Sequence, residues 1–198
     1  MWKSLHHNAR NNIKRAQNQA LTVESSRDLT DLYAIHTKTV HRLGTPCFPR
    51  RYFQLILDTF GEHAVIYYVL HQGQRIAYDL MVMHKRSLIC QFNGSLSEFF
   101  QLKPNNLLFW HAIERGCERG FTEVDYCRSR KDSGSSEFKR RLHFTEAPLG
   151  HQYYLSKGRS LPERNPSNPK YQLLIRAWQQ LPLGMTKVMG PPLVRYLA

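Results

Sequence analysis

Polar side chains that can bind an anion follow one short apolar segment of the chain. Residues 121–126 predict a strand, and Arg128 and Ser129 come directly after it. Ligands of open α/β sheets bind beyond the carboxyl ends of strands, and the planar guanidinium of arginine matches phosphate or carboxylate. We therefore expect Arg128 and Ser129 to bind an anion. Asp125, on the same strand, would orient Arg128 or accept a proton; the alternative is a structural carboxylate paired with a nearby arginine.

A second basic pair lies near the N-terminus, where Arg10 and Lys14 are four residues apart. The apolar residues of 3–20 recur at helical spacing, so this segment predicts a basic amphipathic helix. Side chains four residues apart share one helix face, which allows both cations to bind one phosphate group. The alternative is an ordinary basic helix in contact with solvent.

The balance of charge favours an anionic partner. The 198 residues have a formal net charge of +13 and a length that suits one domain. Repulsion of this size is common in proteins that bind nucleic acid, phosphorylated carriers, anionic glycans or membrane surfaces. A basic surface that only keeps the protein in solution is the alternative.

Cysteine and histidine spacing argues against a metal site. The four cysteines form no Cys-x-x-Cys pair, and the histidines show no His-x-x-x-His spacing, so we predict neither a metal nor a disulfide framework. No segment reaches the ~18 apolar residues of a membrane span, and the N-terminus lacks the apolar stretch of a signal peptide. The expected location is the cytoplasm, with peripheral contact at the inner face of the membrane as the alternative.

The apolar pattern changes from helical to strand period near residue 64 and predicts an α/β fold. The predicted helices cover 3–20, a stretch from a cap at Asp28 to a break at Gly44, 50–60, 104–120, 133–141 and 171–180. The predicted strands cover 64–70, 75–83, 87–92, 121–126 and 149–155. The first three strands form an antiparallel meander. The helix of 104–120 joins the third strand, 87–92, to the strand at 121–126 in a right-handed parallel crossover, which gives a mixed sheet with helices on both faces.

Three segments are expected along the chain. Residues 1–22 form the basic N-terminal helix, residues 23–158 the catalytic-sized α/β domain, and residues 159–198 a Pro-rich linker followed by a helical tail. Asp79 lies inside a predicted strand, and we interpret it as a carboxylate whose hydrogen bonds are satisfied.

Several motifs resemble the FemAB-like proteins of the GNAT superfamily, also described as BioF2-like acetyltransferase domains, and especially their exosortase (PEP-CTERM) associated branch. The similar segments are Asn8-x-Arg10 to Ala16, Leu-Gly-Thr-Pro at 43–46, Pro-Asn-Asn-Leu-Leu-Phe-Trp at 104–110, Val-Asp-Tyr-Cys-Arg-Ser at 124–129, Gly134, Phe138-Lys139, and 178–182 with 190–191 in the tail. The resemblance implies a GNAT-like fold. Two departures stand out: Cys127 replaces the usual Gly, and the chain resembles only the second domain. A truncated reading frame, a split gene or a chain that cannot work alone would explain the second.

The resemblance implies an N-acyltransferase that joins an acyl or aminoacyl group to an amine of a cell-wall or exopolysaccharide-related acceptor. In FemAB relatives the lysine of a matching Phe-Lys pair steadies the tetrahedral intermediate, which assigns that role to Lys139. The alternative places Lys139 in a solvated run with Arg140 and Arg141. Asp125 is the second predicted catalytic residue. The predicted substrate-binding residues are Arg128, Ser129, Phe138, Tyr126, Arg10, Lys14 and Asn93.

The turn before residue 104 bears on the acyl donor. GNAT enzymes that use acyl-CoA usually hold its pyrophosphate in a Gly-rich turn at a helix N-terminus. Residues 100–105 contain no glycine, and Pro104 lacks an N–H group. The sequence therefore predicts no resident cofactor and favours aminoacyl-tRNA over acyl-CoA as donor.

Two other functions stay open. One is an acyl-CoA-dependent N-acetyltransferase. The other is a non-catalytic basic module that binds tRNA, a phosphorylated lipid carrier or an anionic glycan. A separate N-terminal GNAT-like half is a further expected partner.

Overall fold

A five-stranded mixed sheet forms the centre of the computed structural model, which describes residues 2–131, 133–150, 152–155 and 169–197. The strands are β1 (Thr22–Ser26), β2 (Ala64–His71), β3 (Gln74–His84), β4 (Ser87–Ser95) and β5 (Glu123–Asp125), and they lie in this order. β1 to β4 pair antiparallel, and β5 pairs parallel to β4. The predicted α/β mixed sheet, with a meander and one parallel crossover, is confirmed.

Seven α-helices surround the sheet in the described part of the chain. They are α1 (His7–Asn18), α2 (Leu29–Arg42), α3 (Arg50–Phe60), α4 (Pro104–Glu118), α5 (Gly134–Arg141), α6 (Pro169–Gln180) and α7 (Leu183–Leu197). Asp28 caps α2 as predicted, since its side chain accepts a hydrogen bond from the N–H of Thr30. A 3-10 helix, Ser97–Leu102, connects β4 to α4.

Alternate residues of the strands face two separate apolar cores. On β3, Met81 packs with residues of α1 and α4, whereas Leu80 packs with residues of α2 and α3. This alternation follows from the two-residue period of a strand. It leaves helices on both faces of the sheet, as the sequence predicts, and it places Asp79 on the same face as Met81.

Two strand predictions differ from the structure. β1 was not predicted, because its sequence, Thr-Val-Glu-Ser-Ser, is polar and only five residues long. It is stabilised at the sheet edge by pairing with β2. The predicted strand at 149–155 is wrong for the residues that the structure describes there, 149–150 and 152–155, which have no strand conformation.

The C-terminal helices pack against α2. His41 Nε2 lies 2.9 Å from the carbonyl oxygen of Leu181, and Gln179 donates to the carbonyl of Arg42 at 2.6 Å. A side chain at Gly190 would lie 2.7 Å from Sγ of Cys47, so only glycine lets α7 approach this closely. α6 confirms the predicted helix at 171–180, whereas the predicted linker prolines at 162 and 166 lie outside the described residues.

Candidate active site

The edge of β4 that faces β5 is open over most of its length. β5 pairs only with the first three residues of β4, the last pair being Ile89 with Asp125. From Cys90 to Ser95 this edge has no strand partner in the described part of the chain. A β-bulge also interrupts β4 here, since Leu80 and Met81 pair with Phe92 and Cys90 and leave Gln91 as the extra residue. The backbone groups of β4 therefore lack a strand partner where β4 and β5 diverge, although at the end of the strand Thr39 Oγ1 accepts from the N–H of Ser95 at 3.2 Å.

A local turn ends β5 and turns the chain away from β4. The N–H of Cys127 donates to Oδ1 of Asp125 at 2.6 Å, which is the hydrogen bond of an Asx turn. Cys127 itself has φ +52°, in the left-handed region that favours glycine. Asp125 thus has a structural contact of its own, with a backbone N–H rather than with Arg128.

A buried carboxyl group lies beneath this turn. Asp79 is 1% exposed, and the hydroxyl of Tyr126 donates to its Oδ2 at 2.5 Å. Burial raises the pKa of Asp79 from 3.8 to about 7, although the hydrogen bond from Tyr126 opposes the shift. The other carboxyl oxygen, Oδ1, has no hydrogen-bond partner among the described residues. Burial therefore favours the neutral form of Asp79.

Tyr126 is held rigidly between the sheet and α4. Its ring stacks on Phe109 of α4, with ring centroids 3.7 Å apart, and Phe144 lies against its edge at 5.3 Å. Burial raises the pKa of Tyr126 well above its ordinary value, and the nearby Asp79 adds to this. The phenol therefore stays protonated and serves as the donor to Asp79.

Lys139 reaches the same place from α5. The side chain of Ser133 caps this helix by accepting from the N–H of Ser136, and Lys139 lies partly buried one turn further on. Its Nζ donates to the carbonyl oxygens of Tyr126 at 2.5 Å and Cys127 at 3.1 Å. An ammonium group has three protons, and the described contacts use two. Burial lowers the pKa of Lys139.

Two residues of β4 complete the group. Asn93 lies opposite Asp79 in the register, and its Nδ2 is 3.8 Å from Sγ of Cys90. Burial raises the pKa of the Cys90 thiol well above its ordinary value, and the neighbouring Asp79 has the same effect. We call the whole set the β4–β5 cluster: Asp79, Cys90, Asn93, Tyr126, Cys127 and Lys139.

The structure brings together only some of the residues predicted from sequence. Lys139, Tyr126 and Asn93 belong to the β4–β5 cluster, Asp125 forms the adjoining turn, and Phe138 packs its ring against Phe109 with centroids 5.0 Å apart. The role of each in binding or catalysis stays a prediction.

The basic residues of the prediction lie farther out. Arg128 and Ser129 are exposed beyond the turn, where Ser129 Oγ lies 3.1 Å from Ser135 Oγ. Arg10 donates to the carbonyl of Lys3 at 3.2 Å, and Lys14 is exposed. No hydrogen bond or ion pair of the described residues joins Arg10 or Lys14 to the β4–β5 cluster. Both side chains border solvent, and their joint binding of a phosphate group stays a prediction.

Sequence reasoning missed Asp79 and Cys90 as members of the site. Asp79 was interpreted as a satisfied carboxylate, whereas Oδ1 has no described partner. A usable signal exists in the sequence: Asp79 is an acid inside an otherwise apolar strand segment, Ile-Ala-Tyr-Asp-Leu-Met-Val. Such a residue is either paired or functional, since burying a charge is costly.

Replacing Cys127 by glycine is expected to raise the free energy of unfolding by about 1 kcal/mol, because the left-handed conformation strains a side-chain-bearing residue. Chemical denaturation of the variant measures this. Cys127→Ala removes the same thiol but keeps the strain, so it serves as the matched control. Equal stabilities of the two variants would contradict the strain argument.

Residues 4–140 match the family described as "Acetyltransferase (GNAT) domain". The match covers more than half of the chain. This chain belongs to the GNAT acetyltransferase family. The GNAT assignment agrees with the order of elements in the sheet and with the parallel β4–β5 pair that opens beyond Ile89.

Solved structures share the GNAT fold at low sequence identity. FemX superposes with a TM-score of 0.61 at 15% identity, over 71% of this chain and 54% of FemX. The aminoglycoside acetyltransferase meta-AAC0020, from an uncultured soil metagenomic sample and in complex with sisomicin, gives 0.55 at 13% identity, over 71% of this chain and 99% of its own. AAC(6')-Iy, in complex with a CoA-linked bisubstrate analogue, superposes with a TM-score of 0.53 at 12% identity, over 69% of this chain and 98% of AAC(6')-Iy.

The matched structures differ in how much of their own length this chain covers. The chain spans about half the length of FemX, whereas it covers nearly all of the two aminoglycoside acetyltransferases. No curated protein matches this sequence.

Proposed function

We propose that this GNAT domain transfers an aminoacyl or acyl group from an activated donor to an amine. The observation that carries the proposal is that Nζ of Lys139 contacts the carbonyl groups of the turn after β5, where β4 loses its strand partner. An extended donor can pair with exposed backbone groups in the manner of an added strand. Its reacting carbonyl would then lie near the third proton of Lys139, which stabilises the developing oxyanion.

The amine must lose a proton during the reaction. Asp79 has a pKa near neutrality, but it is buried and separated from solvent by Tyr126. We therefore assign Asp79 a positioning role: through Tyr126 it holds the two carbonyl groups that Lys139 contacts. The base that takes the proton of the amine is therefore a group of the acceptor substrate, water, or Asp125 at the turn.

The start of α4 supports an aminoacyl-tRNA donor over acyl-CoA. Pro104 has no N–H, and the N–H of Asn106 is used by the carbonyl of Lys103 at 3.1 Å. Among the first three residues of α4, only Asn105 remains to donate to a phosphate group. A pyrophosphate cradle needs several backbone donors. The net charge of +13 suits a nucleic-acid donor instead.

Acyl-CoA is the second candidate donor. It is favoured by the fold match to AAC(6')-Iy, whose structure contains a CoA-linked analogue and is covered over 98% of its length. A single-domain acetyltransferase of that kind has about the size of the matched region.

We propose a cell-wall or exopolysaccharide precursor as the acceptor, on the resemblance to FemAB-like proteins and the fold match to FemX. A cleft of about 280 Å³ at the carboxyl end of β4 offers room for an anionic part of a substrate. Lys38, His41 and Arg42 line it from α2, although Glu98 pairs with Lys38 at 3.5 Å. A binding module without catalysis would use the same basic surfaces. A separate N-terminal GNAT-like half would correspond to the part of FemX that this chain does not cover.

The donor experiment separates these functions. The purified chain is given labelled aminoacyl-tRNA and labelled acetyl-CoA in parallel, each with muropeptide and amino-sugar acceptors. We expect amide product from aminoacyl-tRNA and no product from acetyl-CoA. Transfer from acetyl-CoA alone would overturn the donor assignment. Tight tRNA binding without transfer from either donor would favour the binding module.

A further inference from the structure

An apolar surface on the C-terminal helix is left uncovered by the fold. α7 buries Thr186, Gly190 and Val194, which lie on one side of the helix against α2 and the Cys47 loop. Its opposite side is apolar as well and faces solvent. We call this side the outer face of α7; it consists of Met185, Val188, Met189, Pro192, Leu193 and Tyr196.

The outer face is exposed to a degree that is unusual for such residues. Val188 is 76% exposed, Tyr196 84% and Met185 49%. The six residues recur every three or four positions, so they form one continuous stripe. α6 also carries two exposed leucines, Leu173 and Leu174. A contiguous apolar patch of this kind marks an interaction surface rather than ordinary surface variation.

The charges of residues 169–197 indicate what covers the outer face. Residues 169–197 contain four basic residues, Lys170, Arg176, Lys187 and Arg195, and no acidic residue. On α7, Arg195 is exposed and lies beside the apolar stripe. An apolar helix face with an arginine beside it and an exposed tyrosine at one end, in a segment with basic and no acidic residues, has the chemistry of a helix that lies in the interface of an anionic bilayer.

We propose that the outer face of α7 binds the surface of an anionic lipid bilayer. No helix in the described part of the chain is long and apolar enough to cross a membrane, so α7 would lie along the surface. The family match ends at residue 140, and α6 and α7 follow it. The outer face contains no residue of the β4–β5 cluster or of the cleft beside β4, so the membrane contact does not depend on the proposed function.

Sedimentation with lipid vesicles tests the proposal on the full chain. We expect binding to vesicles of phosphatidylcholine mixed with phosphatidylglycerol and much weaker binding to phosphatidylcholine alone. Val188→Asp puts a charge in the middle of the stripe and should weaken binding by about 10-fold or more. Arg176→Glu combined with Arg195→Glu should weaken it by a similar factor and reduce its dependence on salt.

A matched control lies on another helix. Leu55 of α3 is 50% exposed, and Leu55→Asp should leave vesicle binding unchanged. Circular dichroism checks that each variant is folded. Three results would overturn the proposal: no binding of the unaltered chain to anionic vesicles, equal binding of Val188→Asp, or a dimer in solution that Val188→Asp dissociates. The last would make the outer face a contact between protein copies.

Discussion

Replacing Lys139 by alanine is expected to lower kcat for acyl transfer about 100-fold, which is the usual cost of removing one oxyanion donor. The reason is geometric. Nζ of Lys139 is held by the carbonyl groups of Tyr126 and Cys127, at the end of β5 and beside the open edge of β4. One proton of its ammonium group has no described acceptor, and in the proposed function this proton stabilises the oxyanion of the donor carbonyl. Steady-state kinetics with aminoacyl-tRNA and a muropeptide acceptor would measure the effect.

The division between kcat and KM distinguishes catalysis from a structural role. An interaction made only in the transition state lowers kcat and leaves KM little changed. A lysine that only fastens the turn after β5 would instead alter donor binding and stability together. The pH profile gives a second readout: burial lowers the pKa of Lys139, so kcat should fall at high pH earlier than for an ordinary lysine.

Arg140 provides the matched control for this prediction. It neighbours Lys139 on α5, is exposed, and pairs with Glu137 within the same helix. Arg140→Ala should leave kcat near the value of the unaltered chain. A similar loss of kcat in both variants, or a change in KM alone, would contradict the oxyanion role. Lys139 would then be an ordinary member of a solvated basic run with Arg140 and Arg141.

The sequence predicted the layers of the fold better than the contents of the site. Helical and strand periodicity located α4 and the meander, because these elements bury broad apolar faces. β1 lacks such a face and depends on β2 for its stability, while Glu24 on it pairs with Arg75 at 2.6 Å. That ion pair joins residues about fifty positions apart, and no local pattern indicates it.

The same limit applies to the β4–β5 cluster. Lys139 was found through its Phe-Lys motif, which is local. The hydrogen-bond partner of Asp79, Tyr126, directly follows β5, which pairs with the sheet only after the parallel crossover. The pKa of Asp79 depends on this burial, so it is a property of the tertiary structure.

Replacing Asp79 by asparagine is expected to make the stability of the protein less dependent on pH. The pKa of Asp79 is 3.8 when unfolded and about 7 when folded, so between these values the unfolded chain ionises first. The folded state then binds more protons, and stability falls as pH rises, by up to about 1.4 kcal/mol per pH unit. The loss is absent below about pH 4 and complete above about pH 7.

The asparagine of the Asp79→Asn variant carries no charge at any of these pH values. The variant therefore does not lose unfolding free energy at this position as pH rises. Its side-chain oxygen can still accept from Tyr126, but its NH₂ group replaces an oxygen without a described partner, which costs about 1–3 kcal/mol at every pH. The informative quantity is therefore the difference in unfolding free energy between variant and unaltered chain. We expect this difference to shift in favour of the variant by about 2–4 kcal/mol between pH 5 and pH 8.

Urea denaturation across this range measures the difference, and Asp58→Asn is its control. Asp58 is an exposed carboxylate on α3 that accepts from Gln54, so Asp58→Asn makes the same chemical change outside the core. A pH-independent difference for Asp79→Asn would mean that the carboxyl is ionised in the folded protein throughout. Asp79 would then be stabilised as a carboxylate by a further hydrogen-bond donor or a cation, and its assignment as a neutral group that positions Tyr126 below pH 7 would fail.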